Sequence, residues 1–158
     1  MAPRFVADSM LGRLARWLRA RGCDVVYEPS ADDHRLIAWA RERKAIVLTR
    51  DTRFPSAPEV RVLFIAHDRV EEQLRQVARE APLDLGEVRA LSRCLVCNTE
   101  LVPATRDEVW QQVPPFVYLT QEAYARCPGC GRVYWEGTHV ARMRRELERL
   151  SQAGGSEA

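Results

Sequence analysis

Two Cys-x-x-Cys turns, Cys94-Leu95-Val96-Cys97 and Cys127-Pro128-Gly129-Cys130, hold four of the five cysteines of this chain. A turn of this kind brings two thiolates to one side, and two such turns complete the tetrahedral shell that Zn²⁺ prefers. The pairing predicts a structural zinc at Cys94, Cys97, Cys127 and Cys130, and a small C-terminal module held together by metal as much as by a core. A closed four-cysteine shell leaves no open coordination position, so any chemistry must be sought elsewhere in the chain.

With 158 residues the chain has room for two small modules. Residues 1–88 read as an α/β domain. Phe5-Val6-Ala7 is the first strand, and Leu11, Leu14, Ala15 and Leu18 form a helical stripe that should stop at Gly22. Cys23 to Tyr27, Ala45 to Thr49 and Val60 to Ile65 read as further strands, with a helix from Asp33 to Arg43 between the first two. Asp68-Arg69-Val70-Glu71 reads as a capping-box opening for a helix that runs to about Glu80. Strands alternating with helices predict a three-layer fold with a mostly parallel sheet. Pro82 to Leu91 reads as a linker. Residues 89–150 read as a zinc ribbon: 29 residues separate the two turns, including Pro103, Pro114 and Pro115, with a short helix expected within residues 107–112. Val140, Met143, Leu147 and Leu150 then fall at helical spacing and predict a terminal amphipathic helix, followed by a disordered tail over residues 151–158.

Composition narrows the setting. No apolar run approaches the roughly 20 residues that span a bilayer, and Met1-Ala2-Pro3-Arg4 leads straight into a strand rather than into a signal peptide. A membrane partner is not expected and a cytoplasmic location follows, where reduced thiols favour zinc over disulfides. The net charge is only +2, but the basic residues are nearly all arginine, which suits bidentate phosphate contacts. Oligomeric state has no signature in the sequence.

Asp8 directly follows the first strand and Asp51 the third, in Leu48-Thr49-Arg50-Asp51. Parallel neighbouring strands would bring both carboxylates to the carboxyl edge of the sheet, where open α/β folds place their sites. Asp32 and Asp33, at the head of the second helix, start from the same edge. Hard oxygen ligands of this type select Mg²⁺ or Mn²⁺, which can activate water and neutralise a phosphodiester in its transition state. The same residues also serve as caps and strand-end turns: Asp32 or Ser30 can cap the second helix, Asp33 can face its dipole, and Asp68 suits a cap better than a ligand. Arg13, Arg16 and Arg19 form a helical row opposite the apolar stripe, and Arg50 sits beside Asp51. Such a row either tracks a phosphate backbone or is a solvated helix face.

Phe5-Val6-Ala7-Asp8-Ser9-Met10-Leu11-Gly12-Arg13-Leu14-Ala15-Arg16-Trp17-Leu18-Arg19, the Leu48-Thr49-Arg50-Asp51 motif, the cysteine turns and Tyr134-Trp135-Glu136-Gly137-Thr138-His139 resemble the Mut-seven C-terminal RNase family. The resemblance covers the chain up to about Leu150. It implies a PIN-like nuclease domain followed by a zinc ribbon, and a ribonuclease using carboxylate-bound Mg²⁺ or Mn²⁺. Carried over position by position, Asp8 and Asp51 match the acidic residues after the first and third strands, and Asp33, with Asp32 as its neighbour, the one at the head of the second helix. Arg13, Arg16 and Arg50 become the expected RNA-contacting residues. The competing class is a non-catalytic RNA-binding or adaptor protein built on the same fold.

Among the remaining residues, His139 is an alternative to one cysteine ligand, or belongs with Tyr134 and Trp135 in a packed or RNA-facing surface. Trp135 reads as core. Cys23 reads as a buried apolar residue, and neither His34 nor His67 has a neighbour that suggests a catalytic pair.

Overall fold

The computed structural model describes residues 3–81, 83–86, 89 and 91–155; of residues 138–140 and 153–155 only the backbone is described. Four parallel strands form the first sheet: β1 (Phe5–Ala7), β2 (Val25–Tyr27), β3 (Ile46–Thr49) and β4 (Val62–Phe64), in the order β2-β1-β3-β4. Three helices connect and follow them: α1 (Gly12–Arg21), α2 (Asp33–Arg43) and α3 (Val70–Glu80). The expected α/β class with a parallel sheet is what the chain adopts.

Side-chain alternation divides the strands between two cores. Phe5, Ala7, Val25, Leu48 and Leu63 face one way and pack with Leu14 and Leu18 of α1 and Leu74 and Val77 of α3. Val6 and Val47 face the other way and pack with Leu36, Ile37 and Ala40 of α2. The sheet is thus sandwiched, and burying each of its leucines contributes about 2 kcal/mol. Helix ends are specified locally. Gly22 closes α1 in the left-handed region at φ 107°, and Asp32 caps α2 by accepting the Arg35 amide at 2.9 Å.

The second sheet is antiparallel, with β5 (Val102–Ala104), β6 (Tyr124–Arg126) and β7 (Val133–Trp135) side by side. Between β5 and β6 lie two short helices, α4 (Arg106–Val109), opened by a capping box of Thr105 and Glu108, and α5 (Pro115–Thr120). Val109, Val113 and Tyr124 make a separate small core on which Trp135 packs. The last helix, α6 (Thr138–Gly155), continues past Leu150 into the segment expected to be tail.

The two modules share a core. Leu147 and Leu150 of α6 are buried in the cluster formed by α1, α3 and the first sheet, and so are Leu83 and Leu85 from the segment expected to be a linker. Two charged residues depart from what the sequence predicts. Arg19 is not on a solvated face: it is buried, and its guanidinium donates to Val25 O at 3.0 and 2.9 Å and to Leu95 O and Val96 O in the first cysteine turn at 2.9 and 3.1 Å. Its apolar stem extends the α1 stripe while its head satisfies carbonyls that would otherwise be buried unpaired. Asp68 does not cap α3; Arg69 is the N-cap residue, without a side-chain bond, and Asp68 pairs with Arg50 at 2.7 Å.

Candidate functional site

Strand order places the candidate site. From β1 the chain turns through α1 to β2 on one side, whereas from β3 it passes to β4 on the other, so the loops leaving β1 and β3 diverge. A crevice opens at such a switch point in open α/β sheets. Asp8 and the Thr49-Arg50-Asp51 segment leave the sheet at this point.

Asp8 is buried and its carboxylate is fixed from three directions. Oδ1 accepts the Met10 amide at 3.0 Å, while Oδ2 accepts the Thr49 hydroxyl at 2.5 Å and the Arg50 amide at 3.0 Å. The Thr49 oxygen in turn accepts the Asp51 amide at 3.0 Å. One buried hydroxyl therefore links the two carboxylate-bearing segments, a role the sequence reading passed over because threonine ends many strands without any such duty. Asp51 is exposed, and its Oδ1 accepts the Arg53 amide at 2.9 Å. Gly12 keeps the loop after Asp8 tight: a Cβ there would stand 2.9 Å from the Tyr27 hydroxyl, which donates to Ser9 O at 3.0 Å.

Asp33 lies in the first turn of α2, exposed, and Asp32 is committed to the cap. Asp8, Asp33 and Asp51 do not form a set whose ligand atoms all lie within 4.8 Å of one another; among the described residues only the four cysteines do. The carboxylates nevertheless retain the donor capacity that a hard cation requires, at Asp8 Oδ1, at Asp51 Oδ2 and at both oxygens of Asp33. Mg²⁺ needs only one or two direct carboxylates and keeps several waters, so the chemistry of this donor set fits such an ion.

The arginines divide. Arg13 and Arg16 are exposed on α1. Arg50 instead reaches across to the loop before α3, donating to His67 O and pairing with Asp68. Its side chain ties β3 to the end of β4.

In the C-terminal module, Cys94 Sγ lies 3.7 Å from Cys130 Sγ, and Cys97 Sγ lies 3.2 Å from Cys127 Sγ. A zinc ion with Zn–S lengths of about 2.3 Å needs sulfurs about 3.8 Å apart, so the set can hold zinc with slight adjustment. Amides of Cys97 and Cys130 point at the first sulfur of their own turn, at 3.5 and 3.4 Å. Tyr134 accepts the Leu95 amide at 3.1 Å and directs its hydroxyl at Cys94 Sγ at 3.0 Å. It is a buttress of the first turn rather than an RNA-facing residue, and burial, reinforced by Cys94, raises its pKa. The Thr99 hydroxyl lowers the Cys97 thiol. The Arg132 amide pulls the Cys130 thiol down, but desolvation and the neighbouring thiols outweigh it and push it up to about 11. The His139 side chain lies outside the described residues. Cys23 is buried, as expected, and burial raises its pKa. His67 pairs with Glu72 at 3.5 Å.

The fold and site define a three-layer α/β protein with strand-end aspartates at the switch point of its sheet and a four-cysteine cluster beside it. The chain belongs to the Mut7-C RNAse domain family, whose model matches residues 3–147. Comparison with the curated proteins and with the solved structures finds no match. Among the described residues, no helix is long and apolar enough to cross a membrane.

Proposed function

We propose that this protein is a ribonuclease dependent on Mg²⁺ or Mn²⁺, with Asp8, Asp51 and Asp33 as its metal-binding and catalytic carboxylates and zinc at Cys94, Cys97, Cys127 and Cys130 as scaffold. The observation that supports this reading is that the buried Thr49 hydroxyl donates to the Asp8 carboxylate and its oxygen accepts the Asp51 amide, which joins the two aspartate-bearing segments at the carboxyl edge of the sheet. When bound, the cation supplies a lowered pKa for water and a positive charge against the developing oxyanion. The chain supplies the rest. The Thr49 hydroxyl and the Met10 and Arg50 amides hold Asp8 in one orientation, and Asp51 and Asp33 present carboxylates to solvent. In the hydrolysis, water oxygen forms a new bond to phosphorus, one ester P–O bond breaks, and a proton passes from the water to the leaving oxygen.

RNA contact is assigned to Arg13 and Arg16 on α1, with Arg50 acting chiefly as a positioning residue. In the ribbon, Trp110 and Phe116 are exposed aromatics suited to stacking on unpaired bases. Assistance from the ribbon is assigned to stacking on these rings.

A second reading, a non-catalytic RNA-binding or adaptor protein, draws on one observation: Asp8 already accepts three hydrogen bonds without a cation. The two readings part on one assay. Purified protein should cleave single-stranded RNA with Mn²⁺ or Mg²⁺, and the double variant Asp8→Asn, Asp51→Asn should lose cleavage while keeping or raising RNA affinity. Equal cleavage by the double variant would sink the enzyme reading.

A further inference from the structure

Phe64 ends β4 and is 43% exposed. In the parallel register Ala7 pairs with Leu48 and Thr49 with Phe64, so Asp8, one residue past Ala7, stands level with Thr49. Asp8, Thr49 and Phe64 thus form a row across three adjacent strands at the carboxyl edge. Val6 and Val47 belong to the core on the α2 side. Alternation along each strand directs all three members of the row to that same side, where Asp33 opens α2. With strands about 4.8 Å apart, Phe64 is one strand from Thr49 and about 10 Å from Asp8.

A large apolar side chain exposed at an edge strand is a liability to folding and solubility, yet the backbone beneath this one is held with unusual care. Gln76 of α3, itself buried, donates Nε2 to Phe64 O at 2.6 Å and accepts the Ala66 amide on Oε1 at 3.0 Å. One step further, buried Gln73 donates to His67 O at 2.8 Å, the carbonyl that Arg50 also reaches. Three side chains therefore fix residues 64–68 while leaving the ring in solvent. A rigid aromatic with only two side-chain torsions loses little entropy on contact, which is what a stacking platform needs.

We propose that Phe64 stacks on an unpaired base adjoining the phosphate held at the Asp8–Asp51 crevice, so that the protein acts on single-stranded nucleic acid. This rests on the nuclease reading of that crevice. Bases inside a duplex have both faces covered and their edges turned inward; only an unstacked base can present its face to the ring.

The test uses the full chain carrying Asp8→Asn, which prevents cleavage during binding, and a short single-stranded RNA containing 2-aminopurine. Phe64 should quench the fluorophore, and Phe64→Ala should remove the quenching and weaken binding about tenfold. Phe64→Tyr and Phe64→Trp should restore both, and Phe64→Leu, apolar but without a π-face, should restore neither. In otherwise unmutated protein, Phe64→Ala should raise KM far more than it lowers kcat. Unchanged affinity and quenching in Phe64→Ala, absence of RNA binding, or equal Phe64-dependence on a fully paired duplex would overturn the proposal. The two readings fail separately. Phe64-dependent quenching without cleavage of any RNA by the unmutated chain would sink the hydrolase and leave stacking; cleavage with kinetics indifferent to Phe64→Ala would do the reverse.

Discussion

Arg19 of α1 donates to the carbonyl oxygen of Leu95, inside the first cysteine turn, at 2.9 Å. The same guanidinium holds Val25 O at the start of β2. Asn98, just past the turn, accepts the Val25 amide at 2.9 Å and donates to Asp24 at 2.7 Å. The four-cysteine module is thus fastened to the strand next to the one that leads into Asp8. Burial lowers the Arg19 pKa, opposed by the facing Cys94 and Cys97 sulfurs, and the guanidinium keeps its charge throughout the usual pH range.

Arg19→Ala should cost about 3 kcal/mol, because it leaves several buried carbonyls without a donor. In a chain of this size that is a fall in Tm of about 6 to 12 °C, measurable by thermal denaturation. Arg19→Lys should recover only part of it, since a single ammonium cannot span carbonyls on two segments with the planar fork of an arginine. A variant as stable as the parent would mean the two modules are not energetically joined through this residue.

Thr49→Val keeps the shape of the side chain but removes the donor to Asp8 Oδ2 and the acceptor for the Asp51 amide. Stability should fall by about 1 to 2 kcal/mol, and RNA cleavage should fall at least tenfold, with Thr49→Ser recovering most of it. Equal turnover by Thr49→Val would show that Asp8 needs no such restraint.

Leu147 of α6 is fully buried against the first domain. Leu147→Ala should therefore cost about 3 kcal/mol or more, and chemical denaturation should show one transition in which the sheet and α6 unfold together. Two separate transitions would demonstrate independent modules.

Metal analysis should find about one zinc per chain, and Cys94→Ser should lose it. Because carbonyls of the first cysteine turn accept Arg19, and Asn98 just past it accepts the Val25 amide, chelation should lower the melting temperature of the α/β domain as well as unfold the ribbon. An α/β domain whose melting is indifferent to chelator would contradict this.

Cys23 has its thiol pKa raised above the ordinary 9.0 by burial. A proton retained longer in the folded state than in the unfolded one stabilises below that value, and the contribution is lost as pH rises beyond it. The parent should lose stability above about pH 9 more steeply than Cys23→Ala, which pays a fixed cavity cost at every pH. Parallel profiles would show that Cys23 does not contribute to the alkaline slope.

Local signals carried much of this molecule. The helix over Asp33–Arg43 and the left-handed stop at Gly22 follow from spacing and capping that a short window contains. So does the pairing of the four cysteines, because a Cys-x-x-Cys turn has little else to do. Asp8 and Asp51 were legible as strand-end carboxylates, and parallel pairing put both at one edge. The errors lie where a residue's partner is distant in sequence. Arg19 had the spacing of a surface residue, but its carbonyls lie on a segment 76 residues later. Asp68 had the position of a cap, but Arg50 competes for it from another strand. Thr49 lay in the Leu48-Thr49-Arg50-Asp51 motif and Phe64 in none, but the role of each depends on which strands stand beside it.

The sequence by itself determined the strands and helices of the first domain, the parallel class of its sheet and the grouping of the four cysteines, because periodicity, capping and ligand spacing act over a few residues. Tertiary structure alone decided that α6 and the first cysteine turn close the α/β core, and that Asp8, Thr49 and Phe64 share one row. Those relationships arise from long-range burial and hydrogen-bond satisfaction, which select partners only once the strands are in register.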